Sequence, residues 1–470
     1  MLSPRIQLQS PATDLRDGFA RIRARMELPT GFPGEVLSEA QEAAGREPVV
    51  TPDRRDRLDL DFVTIDPAGS KHQHQAFNGA APGSRYRNHY ANADLGHFID
   101  PGSALEDESH IRGRTLYSPD SRVPLYPQLL SEGAASLLPG QIRPAILWTL
   151  DLDAEGRVRS TGVERAIVRS RRQMTYLQAQ EELDSGKASP SLRVLRVVGT
   201  LRERLEATRG GVDLRTPEQE VNKGENGFEL VYRSHLPVEG WNAQISLATG
   251  IAAAELMLAQ GVGLLRTLPK PSEETVETLR RSAVGLGLRW PRGRSYQEFI
   301  RSLDPAEPHQ AAVLSLGRSL FRGVAYTFFY GKGPDNPYHH ALATPYAHVT
   351  APLRRMADRL NNELVVELSQ GNRPPDWILE RLAEAPEIMK RADQQDRELQ
   401  SRIVDFVEAV FLQDRVGAQF DAVVIEAGTR GGLVQLKDPA VLGPCDGAGL
   451  PLGEQITVTL TEVDPLEGRI

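Results

Sequence analysis

Helical and strand-like patterns occupy separate stretches of this chain instead of alternating along it. Residues 15–26 and 35–44 have the spacing of short helices. From residue 58 the pattern changes to short β-type runs such as DFVTID, RYRNHYANAD and RPAILWTLDLD, and from about residue 189 helical patterns dominate. The stretch 415–470 returns to short strands with Gly, Pro and Asp at the turns, which predicts a small β-barrel. Segregated runs of this kind are typical of an α+β fold.

Three of the predicted helices have readable limits. The Ala-rich stretch 241–259 is followed by a glycine, which is a common helix stop. The stretch 352–370 has apolar residues at helical spacing, with Thr350 in the position of an N-cap and Gly371 after its end. A third, long helix is predicted over 386–413.

Composition excludes several classes of protein. The 470 residues include 55 Lys+Arg and 63 Asp+Glu, so the formal net charge of −8 argues against coating nucleic acid through the overall field but permits a local basic channel. The single Cys445 allows neither an internal disulfide nor a cysteine-based zinc cluster. No uncharged apolar stretch approaches about 18 residues. The start MLSPRIQLQS lacks the apolar core of a secretory signal. We therefore predict a cytoplasmic protein without membrane contact.

One short segment carries chemistry in its spacing. In FVTIDPAGSKHQHQAF a strand ends in Asp66, a turn follows, and His72 and His74 alternate with glutamines. If this segment is extended, both imidazoles lie on one face and suit a shared metal or phosphate. Two surface histidines in a polar loop would give the same pattern, so the residues alone leave both interpretations open.

Two further segments point to charged partners. In YANADLGHFIDPGS, Asp94 follows a strand, where it either binds a metal or accepts hydrogen bonds from a neighbouring turn. In ATPYAHVTAPLRR, Arg354 and Arg355 fall in the first turn of the predicted helix 352–370. Two guanidinium groups beside the free N–H groups of a helix start form a plausible phosphate clamp.

Taken in order, four segments resemble the RNase II/RNase R (RNB-domain) exoribonucleases: FVTIDPAGS, YANADLGHFIDPGSALEDES, RGRTLYSPDSRVPLYPQLLSEGAASLLPGQIRPA and TPYAHVTAPLRRMADRL. The resemblance extends over residues 58–411. It implies an RNB catalytic domain that threads the 3′ end of single-stranded RNA into a channel and releases nucleoside 5′-monophosphates by metal-assisted hydrolysis. It also implies that the tail is an S1-like OB barrel. The expected domains are a helical segment and linker (1–56), the RNB domain (57–411) and the barrel (415–470).

The chain departs from the long members of this family in two places. Only about 55 residues precede the catalytic region, too few for two cold-shock barrels. Where the family has four carboxylates, this sequence has Asp66, His72, His74 and Gln75. Resemblance implies Mg²⁺ as the divalent metal, whereas imidazole ligands favour Mn²⁺ or Zn²⁺. On the long helix, Gln400 stands where the family has a glutamate.

These observations lead to a predicted site and two main functional hypotheses. We predict a monomer that acts on single-stranded RNA 3′ ends as a metal-dependent exoribonuclease. The alternative is a catalytically impaired RNB-fold protein that binds RNA or has a regulatory role, and reuse of the fold for another metal-dependent hydrolysis is a third option. The predicted catalytic residues are Asp66, His72, His74 and Arg354, the metal ligands are Asp66, His72, His74 and Asp94, and the RNA contacts are Tyr117, Tyr176, Tyr346, Arg354 and Arg355.

Overall fold

The structure is a computed structural model that describes residues 6–7, 12–212, 214, 218–224, 227–233, 235–305, 307–436, 441–465 and 467–470. Its helices are α1 (Ala12–Arg25), α2 (Gly34–Ala44), α3 (Ala104–Arg112), α4 (Tyr176–Asp184), α5 (Pro190–Arg209), α6 (Pro237–Gln260), α7 (Glu273–Gly285), α8 (Tyr296–Arg301), α9 (Pro308–Leu316), α10 (Met356–Ser369) and α11 (Asp376–Leu412). Its strands are β1 (Ile6–Gln7), β2 (Arg54–Asp56), β3 (Phe62–Asp66), β4 (Gln75–Ala80), β5 (Tyr86–Ala93), β6 (Leu116–Tyr117), β7 (Arg122–Val123), β8 (Ile142–Leu152), β9 (Val158–Thr175), β10 (Glu218–Gly224), β11 (Gly227–Arg233), β12 (Val262–Thr267), β13 (Ala325–Tyr330), β14 (Tyr338–His339), β15 (Thr344–Pro345), β16 (Gln419–Ala427), β17 (Gly431–Leu436), β18 (Leu442–Asp446) and β19 (Gln455–Thr459). Over these ranges no helix combines the length and apolarity needed to cross a bilayer.

A six-stranded sheet positions the predicted site. Its order is β2-β9-β3-β4-β5-β8, and β8 also pairs with β9, so β3, β4, β5, β8 and β9 close into a ring. The 18-residue length of β9 makes this closure possible, because one part pairs antiparallel with β8 while its end pairs parallel with β3. The run AILWTL in β8 supplies mostly buried residues to both faces of the sheet.

Helices α5, α6 and α10 pack on this sheet and complete the largest hydrophobic core. Tyr90 and Trp148 of the sheet belong to the same apolar cluster as Ile245 of α6 and Leu360 of α10. All four side chains are almost fully buried. Helix α10 is buried on nearly all sides, so its apolar residues belong to the core, and its buried polar residues are Asp358, Arg359, Asn361, Asn362 and Glu363.

Close packing at α6 depends on one glycine. A Cβ atom at Gly250 would lie 2.2 Å from Tyr346 Cε2 and 2.5 Å from the Ala347 carbonyl oxygen. The Ala347 N–H donates to the Gly250 carbonyl oxygen at 3.1 Å. The missing side chain thus lets the segment that carries Tyr346 lie directly against the helix.

The tail forms a separate four-stranded antiparallel sheet in the order β18-β17-β16-β19, with its own apolar cluster. The ends of the chain also match the sequence pattern: α1 and α2 are helices, and no barrel precedes residue 58 within the described residues. Leu15 and Phe19 of α1 pack with Leu399 and Ile403 of α11. The predicted α+β fold with a small C-terminal β domain is confirmed.

Two predicted helix limits are wrong. Helix α10 begins at Met356, not in the segment before it, because Arg355 is extended (φ −137°) and forms a β-bridge with Arg114. Thr350 does not cap this helix; its hydroxyl lies 2.7 Å from the Ser246 hydroxyl. Helix α11 begins at Asp376, ten residues before the predicted start, and runs through Pro386.

The structure places Asp94 apart from the other predicted metal ligands, between two arginines. The Asp94 carboxylate accepts hydrogen bonds from Arg54 Nη2 at 2.7 Å and from Arg165 Nη1 at 2.7 and 2.8 Å, and it also accepts one from the Gly96 N–H of the following turn. Burial alone would raise the pKa of Asp94, but the two guanidinium groups outweigh it and lower that pKa. Arg165 also donates to Glu363 at 2.6 Å, so Asp94 ties β2, β9 and α10 together.

Asp94→Asn removes the negative charge that Arg54 and Arg165 share. Removing one partner of a buried ion pair costs about 3–5 kcal/mol, so we expect the free energy of unfolding in urea to fall by about that amount. Asp151→Asn is the matched control, because Asp151 and Arg87 form a more exposed pair on the same sheet, and it should lose less than about 1 kcal/mol. Equal, small losses in both variants would contradict the structural role of Asp94.

Candidate functional site

One cavity of about 530 Å³ collects every predicted site residue except Asp94. It lies where β3 ends, beside the start of α4, one face of α6 and the turn before α10. The predicted residues that line it are Asp66, His72, His74, Tyr117, Tyr176, Tyr346, Arg354 and Arg355.

Backbone contacts hold the histidine segment in place although it is a loop and not a strand. The Ser136 hydroxyl accepts from the Gln73 N–H at 2.9 Å and donates to the Lys71 carbonyl oxygen at 2.7 Å. The His74 carbonyl oxygen accepts from the Ala93 N–H of β5 at 2.9 Å. Both imidazoles consequently face the cavity, with ring centroids 5.9 Å apart and ring planes at 82°.

Burial and nearby arginines keep these imidazoles neutral at pH 7. Burial lowers the pKa of His72 to about 4, with smaller contributions from Arg122 and Arg354. Burial also lowers the pKa of His74 well below its usual value, and Arg354 adds to the effect. For Asp66, burial raises the pKa to about 7, although Arg354 opposes the shift.

The donor set of this cavity does not fit a magnesium centre. Asp66 Oδ2 and the imidazole nitrogens His72 Nδ1, His72 Nε2 and His74 Nδ1 are buried without hydrogen-bond partners among the described residues. Mg²⁺ requires oxygen ligands in octahedral geometry. The other lining carboxylate, Glu239, accepts from the Leu236 N–H at the start of α6. In the part of the chain that the structure describes, no three His, Cys, Asp or Glu side chains are grouped closely enough for a metal ion. Ligation of Mn²⁺ or Zn²⁺ by Asp66, His72 and His74 stays a prediction.

The two arginines of the predicted clamp differ in their partners. Arg355 makes a bidentate pair with Asp358, at 2.7 and 2.8 Å, and the Ala351 N–H donates to the same carboxylate at 2.7 Å. Arg354 forms no side-chain hydrogen bond or ion pair with any described residue. Burial and the neighbouring Arg355 lower the pKa of Arg354, as expected of a guanidinium short of anionic neighbours. The cavity therefore presents an available cation to an incoming anion.

The three predicted aromatic residues lie at different depths. Tyr117 is 37% exposed, Tyr176 is the first residue of α4, and both line the cavity. Tyr346 is buried against the His348 ring, and His348 Nδ1 is 2.7 Å from the Tyr326 hydroxyl. His348 therefore makes a structural hydrogen bond behind Tyr346.

Sequence reasoning missed several polar residues of the cavity. Arg122 lies on β7, the strand that pairs with the strand of Tyr117, and its side chain forms an ion pair with Glu132. A signal for the others exists in α6, where Glu239, Asn242 and Ser246 recur at helical spacing on an otherwise Ala-rich helix. A further contact comes from Gln400, whose Nε2 donates to the Tyr117 carbonyl oxygen at 2.8 Å.

Comparison with known proteins identifies a family domain in the tail and relatives of the whole chain. Residues 418–470 match the RNase II-type exonuclease C-terminal S1 domain. Ribonuclease R 1 of Lactococcus lactis is 23% identical over 495 residues, which cover 96% of this chain and 60% of that protein. The chain thus spans about three fifths of the length of this curated relative.

Solved structures show the same fold. The Mycoplasma genitalium RNase R in complex with ribose methylated single-stranded RNA has a TM-score of 0.86 at 18% identity, covering 99% of this chain and 78% of that one. Yeast Ssd1, described as a pseudonuclease, has a TM-score of 0.68 at 18% identity, covering 87% and 53%. Residues 54–371, more than half of the chain, match the RNB domain. The chain therefore belongs to the RNB-domain family of RNase II and RNase R type proteins.

Proposed function

We propose that this chain binds the 3′ end of single-stranded RNA in the cavity and does not hydrolyse it with Mg²⁺. The observation that carries the proposal is the charge of the site: Arg354 is available and both imidazoles are neutral. Of the nearby carboxylates, Glu132 pairs with Arg122 and Glu239 accepts from the Leu236 N–H, so Asp66 is the one with a buried oxygen that has no hydrogen-bond partner among the described residues. A phosphodiester anion suits such a surface better than a hard cation does.

Aromatic side chains support a single-stranded ligand. Tyr117 and Tyr176 border the cavity near Arg354, so bases can stack on their rings while a phosphate meets the guanidinium. One fold match was solved with single-stranded RNA, and another is described as a pseudonuclease. The fold is thus compatible with RNA binding and with loss of catalysis.

A second function is favoured by one observation. The buried imidazole nitrogens and Asp66 Oδ2 lack hydrogen-bond partners among the described residues. Buried polar atoms normally have a partner, so a bound metal ion would explain them. An exoribonuclease that uses Mn²⁺ or Zn²⁺ in place of Mg²⁺ would account for them. The same experiment separates the two functions.

The test is incubation of the protein with end-labelled single-stranded RNA in Mg²⁺, Mn²⁺ or Zn²⁺, with binding and shortening followed on gels. We expect binding in all three and no release of monophosphates in Mg²⁺. His72→Asp combined with His74→Asp should introduce Mg²⁺-dependent release, because it supplies carboxylate oxygens where the imidazoles stand. Fast release by the wild type in Mn²⁺ or Zn²⁺, lost in the double variant, would establish the second function instead.

Arg354→Ala should weaken RNA binding strongly. Hydrogen bonds to charged groups contribute about 1.5–3 kcal/mol, so the dissociation constant should rise by about tenfold to a hundredfold. Arg171→Ala is the control, because Arg171 is exposed on β9 and pairs with Asp61, and it should change affinity little. Filter binding at constant salt measures both variants, and equal effects would remove Arg354 from the RNA site.

RNA affinity should rise as the pH falls from 8 to 6. The pKa of Asp66 is raised to about 7, so its carboxylate is mostly ionised at pH 8, where it repels phosphate, and mostly neutral at pH 6. The pKa of His72 lies near 4, so that imidazole stays neutral throughout this window. We expect a change on the order of 1 kcal/mol, about fivefold in affinity. Asp66→Asn should bind tightly at both pH values; an unchanged pH dependence in this variant would exclude Asp66 as its source.

A further inference from the structure

A short hairpin forms one wall of the cavity and has little support of its own. Strands β6 and β7 pair through only two residue pairs, Leu116 with Val123 and Tyr117 with Arg122. Tyr117 and Arg122 both line the cavity. A two-stranded hairpin of this length is not stable alone in water. Contacts from elsewhere must therefore fix the position of these two side chains.

The first contact comes from the N-terminal helix. Arg23 of α1 donates from Nη1 and Nη2 to both carboxylate oxygens of Asp120, at 2.7 and 2.9 Å, and from Nη1 to the Ser118 hydroxyl at 2.8 Å. Both partners of this pair are largely buried, with side-chain exposures of 19% and 11%. Burial alone would raise the pKa of Asp120, but Arg23 outweighs it and the pKa is lowered. The hairpin loop is thus held by a bidentate ion pair.

The second contact comes from the other end of the chain. Gln400 of α11 donates to the Tyr117 carbonyl oxygen at 2.8 Å. Beneath the hairpin, Leu116 and Val123 share an apolar cluster with residues of both helices. Those helix residues are Leu15, Phe19, Leu399, Ile403, Phe406 and Val407. Helices α1 and α11, which are far apart in sequence, therefore both contact the same hairpin.

We infer that α1 and the second half of α11 position the RNA-contacting hairpin, with Arg23 acting through Asp120 and Gln400 acting through the backbone of Tyr117. Both residues lie outside the stretch 54–371 that matches the RNB domain. This inference rests on the proposed RNA binding and assigns to it two positioning residues that touch no RNA themselves. The short N-terminal segment thereby has a role in the site although it forms none of the cavity lining.

Arg23→Ala tests the first contact, with Arg25→Ala as the matched control on the same helix, since Arg25 pairs with the exposed Glu467. RNA affinity should fall about fivefold or more in Arg23→Ala, because a charge-assisted pair is lost, and should stay unchanged in Arg25→Ala. Arg23→Lys should recover part of the loss. In a Tyr117→Ala, Arg122→Ala background, Arg23→Ala should have almost no further effect, because the side chains that it positions are gone. The same fold-loss in that background would overturn the inference.

Gln400→Glu tests the second contact with almost no change in size. A carboxylate cannot donate to the Tyr117 carbonyl oxygen, so RNA affinity should fall, whereas Glu398→Gln should have no effect because Glu398 pairs with Arg402 on the helix surface. Wild-type affinity in both Arg23→Ala and Gln400→Glu would overturn the inference and leave the proposed function standing.

Hydrogen exchange of the backbone amides over 116–123 provides a measurement that needs no RNA. Arg23→Ala and Gln400→Glu should both exchange faster there than the wild type, while the two control variants should not. Failure of the wild type to bind RNA would refute the proposed function. Unchanged exchange in both test variants would separately refute the positioning role.

Discussion

The carboxylate of Asp358 fixes the turn on which the cavity depends. It receives Arg355 through two hydrogen bonds and the Ala351 N–H through a third, so both ends of the turn are tied to one side chain of α10. The positive charge of Arg355 is thereby compensated by Asp358, and its side chain is held in the turn. Arg354, one residue earlier, retains its charge for a ligand. The difference between the two adjacent arginines thus follows from one buried carboxylate, that of Asp358, which pairs with Arg355.

This arrangement sets the electrostatic character of the site. The cations near the imidazoles are guanidinium groups, the carboxylates are Asp66 and Glu132, of which Glu132 pairs with Arg122, and burial keeps both histidines neutral. Carboxylates in the histidine positions would turn the same cavity into a surface that attracts hard cations. The histidine loop is held by backbone contacts to Ser136 and Ala93, whereas His72 Nδ1, His72 Nε2 and His74 Nδ1 make no hydrogen bond to a described residue. The position of the loop therefore depends on its backbone, and the charge of the cavity depends on its side chains.

Local patterns predicted most of the site, and long-range contacts account for the errors. Asp66, His72 and His74 share one short segment, and the two arginines share another, so motif spacing was enough to group them. The fate of Asp94 was beyond such reasoning, since its partners lie 40 and 71 residues away in sequence. The start of α10 was placed too early because the β-bridge between Arg355 and Arg114 overrides the local cap signal of Thr350. Arg23 carries no motif, and only the folded chain brings it and Gln400 to one hairpin.

The contact at Gly250 sets the spacing of two cavity walls without involving the charged side chains that line the cavity. There the Tyr346 ring and the Ala347 backbone lie directly against α6, because residue 250 has no side chain. A larger residue at this position would push the two walls apart. The spacing of these two neighbouring walls is therefore a property of the chain trace, whereas the charge of the cavity is a property of the side chains that line it.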